Sequence, residues 1–214
     1  MKIEGKKVCF LGDSITAGNC TTCMDKRFHQ IIAKKYNLAY AIPYGVPGTR
    51  IARQTVPTVH ETPSDLTYEI RAEIMPRDAE VIVVFGGTND YGYGDAVFGN
   101  VDDINDDNIY SFCGGLNSLM NRLERDFPNA QKIFLTPIHR KDENSPSRPE
   151  GKILADYAAA IKSICEKRGY PVIDLFSINP IDAWDGALMP DGLHPNDAGH
   201  AILAEVIGTE IERL

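Results

Sequence analysis

Lys7-Val8-Cys9-Phe10-Leu11-Gly12-Asp13-Ser14 is the stretch that decides the fold. A short apolar run ends abruptly in a glycine and two small polar residues, as a buried strand does when it leaves a sheet. Similar runs recur at Leu38–Pro43, Glu80–Phe85, Lys132–Thr136 and Pro171–Leu175. They alternate poorly between apolar and polar residues, which is the pattern of strands covered on both faces. Helical spacing fills the intervals. Phe112, Leu116, Leu119, Met120, Leu123 and Phe127 recur at three- and four-residue steps, and so do Ile153, Leu154, Tyr157, Ala158, Ile161, Ile164 and Cys165. Leu203, Val206, Ile207, Ile211 and Leu214 mark a last helix, while weaker patterns cover Asp25–Tyr36 and Ser64–Met75. Strand and helix in alternation predict a parallel sheet of five strands with helices on both faces, an α/β/α three-layer sandwich of flavodoxin-like kind.

The 214 residues are expected to form one domain, residues 1–214, since neither an internal repeat nor a linker interrupts them. Apolar residues make up 43% and charged residues 24%, the proportions of an ordinary globular chain. With 22 basic and 30 acidic side chains the net charge is −8, which argues against nucleic acid or an anionic membrane as partner. No apolar stretch reaches the length of a membrane span. The first seven residues lack the apolar segment of a signal peptide, so a cytoplasmic location is the expectation. Of the five cysteines, Cys9, Cys113 and Cys165 lie in apolar patterns and read as core. Cys20 and Cys23 have motif spacing. A zinc site would need two more ligands beyond that pair, with His29 the one nearby candidate, so two reduced thiols in a loop are expected.

In a parallel sheet, ligand sites form beyond the carboxyl ends of the strands. Every polar cluster of this sequence falls there. Ser14 follows the first strand, Gly45-Val46-Pro47-Gly48-Thr49 the second, Gly86-Gly87-Thr88-Asn89-Asp90 the third and His139-Arg140 the fourth. Asp191-Gly192-Leu193-His194-Pro195 lies in the long loop after the fifth. A serine hydroxyl is a weak nucleophile until an imidazole, oriented by a carboxylate, takes its proton. Ser14, His194 and Asp191 are the candidates for those three parts. The N–H of Ser14, the N–H of Gly48 and the side-chain amide of Asn89 are candidate donors to a developing oxyanion.

These blocks, in this order, resemble the consensus blocks of the SGNH, or GDSL-type, hydrolases: Gly12-Asp13-Ser14, then Gly48, then Gly87-Thr88-Asn89-Asp90, then Asp191-Gly192-Leu193-His194-Pro195. The resemblance implies a flavodoxin-like fold and an esterase that needs no metal or other cofactor. It matches Ser14 to the nucleophile, Gly48 and Asn89 to the oxyanion donors, His194 to the base and Asp191 to its partner. Ile15 stands where Leu is common. Tyr44 and Pro47 depart from the second block and leave Gly45 as the alternative to Gly48. The segment Gly86–Asn108 and the His139-Arg140 loop look similar to carbohydrate-directed members, which implies an ester of a sugar or other small molecule, and the sequence shows no large apolar surface helix to serve as a lipid-facing lid, so a short acyl group is expected. Asp13, Arg140 and Trp184 are the candidate substrate contacts, Asp13 serving also to support its loop, and Arg50 is a further candidate for substrate oxygens.

Other readings fit less well. Ser14 alone reads as a helix N-cap. An aspartyl-phosphate mechanism at Asp13 lacks its second aspartate, because Ile15 stands there. An α/β-hydrolase elbow lacks its last glycine, because Thr16 stands there. The glycine fingerprint of dinucleotide sites does not follow the first strand. Aligned as a calcium loop, Asp102–Asp107 runs on to Asn108 and Gly114 where glycine and glutamate belong, so a solvated loop is expected. His139 competes as base but has no carboxylate three residues before it, which leaves it a substrate-facing or surface role. His29, His60 and His200 read as surface or helix-cap residues. The alternatives to an esterase are a non-catalytic carbohydrate-binding module on the same fold and thiol redox chemistry at Cys20 and Cys23.

Overall fold

Strand β1 (Lys7–Gly12) lies inside the sheet because both of its faces are apolar. The computed structural model describes residues 1–55, 66–145 and 150–214. In it β1 pairs in parallel with β2 (Tyr40–Gly45) on one side and β3 (Val81–Phe85) on the other, followed outward by β4 (Gln131–Leu135) and β5 (Val172–Ile173). The five strands are all parallel, in the order β2-β1-β3-β4-β5. Side chains alternate between two cores. Cys9, Leu11, Ile82, Val84 and Phe134 face one layer, where α3 (Tyr68–Ala72), α5 (Phe112–Asp126) and α6 (Leu154–Arg168) pack. Val8, Phe10, Val81, Val83, Phe85 and Ile133 face the other, covered by α2 (Phe28–Lys35) and α8 (Asp197–Arg213). The expected three-layer architecture is present. Three short helices complete it: α1 (Ser14–Ala17), α4 (Thr88–Tyr93) and α7 (Leu175–Ile178).

The boundaries differ from the sequence expectation where local hydrogen bonding intervenes. β2 starts at Tyr40, in register with Lys7, and Leu38 leaves the ladder to pack into the α2/α8 layer. Pro43 is tolerated because β2 is an edge strand. β5 shrinks to two residues because Asp174 turns away as the N-cap of α7, accepting from the Ser177 N–H at 3.1 Å. The weak helix expected over Asp25–Tyr36 divides into a 3-10 turn at Met24–Lys26 and α2. The expected helix at Ser64–Met75 is α3, capped by Thr67; residues 64 and 65 lie outside the described residues. His60, Pro146 and Pro149 lie outside them too.

His29 and His200 overturn the surface reading: both are fully buried between α2 and α8. Nε2 of His29 donates to the Thr16 carbonyl at 3.2 Å, and the Phe28 N–H donates to Nδ1 of His200 at 3.1 Å. His200 stacks on the Phe28 ring, 5.8 Å between centroids. Burial, then the neighbouring His29 and Arg27, lowers His200 to about 4, and burial lowers His29 to about 4. Each of these histidines is therefore less protonated in the folded protein than in the unfolded chain between about pH 4 and 6.5, and its contribution to stability is lost as pH falls through that window. Asp90, raised to about 6 by burial, acts in the opposite sense. Replacing one histidine isolates its share. Urea unfolding of His200→Gln should show a stability-versus-pH slope smaller than that of the wild type by about 1.4 kcal/mol per pH unit across the window. Equal slopes would mean that His200 does not titrate with folding.

Candidate active site

All strands leave the sheet at one edge, and five loops meet there. The turn after β1 is built by Asp13, whose Oδ1 accepts the Ile15 N–H at 2.9 Å and so caps α1. Asp13 is 2% exposed; burial raises its carboxyl, against the hydrogen bond from Ile15 and the charges of His194 and Arg71. It supports the loop from beneath rather than facing a ligand. Ser14 opens α1 and is 4% exposed.

Asp191 organises the loop before α8. Its Oδ1 accepts the N–H of Leu193 at 2.9 Å and of His194 at 2.7 Å, and its Oδ2 lies 2.6 Å from His194 Nδ1. Gly192 supplies the left-handed residue, φ +74°, that bends the turn. A carboxylate only accepts, so Nδ1 carries the ring proton and Nε2 is left as an acceptor. That nitrogen lies 2.8 Å from Ser14 Oγ, within reach of the hydroxyl's proton. Burial alone would raise the Asp191 carboxyl, but the His194 ring and the two N–H donors outweigh it and hold it below the usual range. The carboxylate is thus charged where it orients the imidazole.

The β2 and β3 loops are laced together beside this relay. Gly48 takes φ +75°, a conformation a side chain rarely adopts. One N–H of the Asn89 amide donates to the Thr49 carbonyl at 3.0 Å. The second N–H of that amide, and the backbone N–H groups of Ser14 and Gly48, have no protein partner among the described residues. Asp90 accepts from the N–H groups of Ile51 (3.1 Å) and Ala52 (2.9 Å), which fixes the segment after Gly48.

Several residues that matter here have no local signal in the sequence. Arg71, from α3, is 3% exposed and donates to the carbonyls of Gly12 (2.7 Å) and Tyr44 and to Thr49 Oγ1 (2.8 Å). It binds the ends of β1 and β2 to the loop of Gly48. Tyr68 lies under its guanidinium, 4.6 Å from ring centroid to Cζ, and donates its hydroxyl to the Phe85 carbonyl at 2.9 Å. Burial lowers the Arg71 guanidinium, against the pull of Tyr68 and Asp13. A helical periodicity test registers Arg71 only as a polar residue.

Of the remaining candidates, Arg140 is half-buried, donates to the Thr88 carbonyl at 3.2 Å and lies 5.5 Å above the Tyr91 ring. Trp184 is 71% exposed, with Lys141 Nζ 5.5 Å over its ring. Arg50 is not at the surface: it is fully buried, 2.7 Å from Asp95 and stacked on Tyr93 at 3.9 Å. His139 also departs from its expected role. Its Nε2 donates to the Phe176 carbonyl at 2.9 Å and its Nδ1 lies 2.7 Å from Glu143, so both nitrogens are engaged in fastening the β4 loop to α7. The acidic stretch folds into turns: Asp103 Oδ1 accepts from the N–H groups of Asn105 and Asp106, at 3.0 and 3.2 Å. Cys9, Cys113 and Cys165 are buried, whereas Cys20 and Cys23 are exposed and free. Burial and the adjacent Asp191 raise the Cys20 thiol, the wrong direction for a redox thiolate.

The GDSL-like lipase/acylhydrolase family matches residues 10–202, the span that contains every block of this site. The chain belongs to that family. This GDSL-like hydrolase is a carboxylic ester hydrolase, and its fold recurs in solved structures. A protein from Lactobacillus plantarum is 28% identical over 98% of each chain, with a TM-score of 0.80. An acetyl xylan esterase is 19% identical, covering 96% of this chain and 99% of its own, at 0.66. A lipase/acylhydrolase from Enterococcus faecalis is 20% identical, covering 96% and 95%, at 0.65. None of the curated proteins matches the sequence significantly. No helix among the described residues is long and apolar enough to cross a membrane.

The clamp made by Arg71 generates a prediction. Arg71→Met removes a buried charge and its four hydrogen bonds, to the carbonyls of Gly12, Tyr44 and Leu66 and to Thr49 Oγ1, and leaves those acceptors short of a donor. Urea unfolding should show a loss of at least about 2 kcal/mol, and esterase turnover should fall in the fraction that remains folded. A variant with unchanged stability and turnover would show that the clamp is dispensable.

Proposed function

We propose that this GDSL-like hydrolase is a serine esterase in which Ser14 is the nucleophile, His194 the base and Asp191 its orienting partner. One observation carries the reading: the unbroken relay from Ser14 Oγ to His194 Nε2 (2.8 Å) and from His194 Nδ1 to Asp191 Oδ2 (2.6 Å). The Ser14 hydroxyl proton passes to Nε2 while Oγ attacks the acyl carbonyl carbon. The carbonyl oxygen takes up the electron pair and is held by the N–H groups of Ser14, Gly48 and Asn89. Collapse expels the alcohol, which takes the proton from Nε2. Water then repeats the sequence, frees the acid and restores Ser14. The Asp191 carboxylate stabilises the imidazolium in both steps.

The substrate proposed is a short acyl ester, such as an acetyl group, on a carbohydrate or other small polar alcohol. A nearly buried hydroxyl leaves room for a small acyl group, whereas Asp191, Arg140, Lys141 and the exposed Trp184 ring make a polar rim with one flat apolar face. Such rings stack on sugar faces while charged groups meet hydroxyls. Likeness of fold to an acetyl xylan esterase agrees with this choice.

Two measurements test the proposal. Ser14→Ala should lower hydrolysis of a chromogenic acetate ester by about 10⁴-fold or more and abolish labelling by a fluorophosphonate probe. Equal turnover by both proteins would end the serine assignment, and carbohydrate binding without labelling would favour a non-catalytic module. Asn89→Ala should cost about 10²–10³-fold in kcat with a small change in KM, because the amide acts on charge that appears only in the transition state.

A further inference from the structure

The sequence leaves Cys20 short of partners for a metal, and the fold supplies them from an unexpected source. Cys20, Asp191 and His194 each bring one ligand atom within 4.8 Å of the other two, the one such group of three among the described residues. His29, the partner considered from sequence, is buried elsewhere with both ring nitrogens engaged. Cys20 itself is exposed, 3.9 Å from Asp191 Oδ2. Its loop is held at both ends. The Thr21 N–H donates to the Gly18 carbonyl at 3.0 Å, and Thr22 donates to the Asp197 carboxylate from its N–H (2.8 Å) and hydroxyl (2.6 Å). The thiol is thereby stationed beside Oδ2 of Asp191, the oxygen that also holds His194 Nδ1.

We propose that Cys20, Asp191 and His194 form an inhibitory site for a thiophilic divalent cation, zinc or cadmium, that switches the hydrolase off. Thiolate, imidazole and carboxylate are the ligand types zinc takes, with bonds of about 2.0–2.3 Å. Two ligands of a tetrahedral ion at those lengths lie roughly 3.3–3.7 Å apart. The thiol therefore needs to approach by a few tenths of an ångström, whereas the Nδ1 to Oδ2 contact of 2.6 Å must open to admit the ion. Solvent completes the coordination at this exposed edge.

The consequence follows from proton accounting. The ion displaces the thiol proton of Cys20 to solvent and takes the lone pair of Nδ1. The ring keeps its single proton, which moves from Nδ1 to Nε2. An Nε2 that carries a proton donates to Ser14 Oγ and cannot accept from it. Asp191 is meanwhile spent on the metal. Base and orienter are removed together, with Ser14 untouched and the fold intact. No electron transfer is involved, and chelation reverses the step.

The inhibition arm rests on the serine-esterase reading, but the binding arm does not. The full chain is titrated with zinc chloride during acetate-ester hydrolysis, and separately with cadmium chloride while the sulfur-to-cadmium charge-transfer absorbance is followed. Micromolar zinc should suppress wild-type turnover, and EDTA should restore it. Cys20→Ser should hydrolyse at the wild-type rate yet need at least about ten-fold more zinc for the same inhibition. Cadmium should give the absorbance band in the wild type and in Ser14→Ala alike, but not in Cys20→Ser. His194→Asn, folded by circular dichroism, should bind cadmium about ten-fold or more weakly. Equal zinc sensitivity of wild type and Cys20→Ser, or a band that survives loss of Cys20, overturns the site. A band that persists in a protein whose activity is indifferent to Ser14 would keep the metal site and discard the nucleophile instead.

Discussion

The 2.8 Å contact between Ser14 Oγ and His194 Nε2 joins residues 180 positions apart, and the rest of the molecule is arranged around it. Neither residue reaches the other through its own local structure. Ser14 is delivered by β1, an interior strand, and His194 by the loop that precedes α8. What brings the two together is the packing of α2 against α8, reinforced by the Phe28 N–H on His200 Nδ1 and by Thr22 on Asp197. The buried histidines are part of that seam, which explains why such polar rings are kept in an apolar layer.

The charges near the site divide into two kinds. Asp13, Arg71 and Asp90 are buried and spend their hydrogen bonds mainly on backbone groups at the ends and loops of β1 and β2. They hold geometry. Asp191 is partly exposed, is held in its charged form and spends its hydrogen bonds on His194 and the turn that carries it. The Ser14 and Gly48 N–H groups and one N–H of the Asn89 amide, without a protein partner among the described residues, stand in the frame that this first group braces; in the proposed reaction they act as fixed dipoles on developing charge. The exposed side of the Asp191–His194 pair is also where Cys20 approaches, so the part of the site most accessible to solvent is the part a soft cation would reach.

Much of this was legible in the sequence, and the reasons are specific. β1 and β3 are buried on both faces, so Val8–Leu11 and Val81–Phe85 read as continuous apolar runs. α5 and α6 bury one face each and show it in their spacing. The polar blocks were found because they stand at strand ends, where a parallel sheet gathers its loops. Edges were less legible. Leu38 and Leu175 look like strand residues, but one packs against helices and the other begins a helix capped by Asp174. His29, His200, Arg50 and Arg71 were misread or passed over because burial of a polar residue depends on partners distant in sequence, such as Thr16, Phe28, Asp95 and Gly12.

The chain's own order of residues determined the alternating strands and helices and the edge at which the polar blocks gather, with Ser14, Asn89, Asp191 and His194 as the candidates there, since periodicity and composition act over a few neighbours. Tertiary structure alone decided that this imidazole and the serine meet at 2.8 Å, that an arginine from α3 braces the turn beneath it and that a loop cysteine lies against the carboxylate. Hydrogen bonds and metal ligands are satisfied through space at about 2–3 Å, and only the folded packing determines which distant side chains come that close.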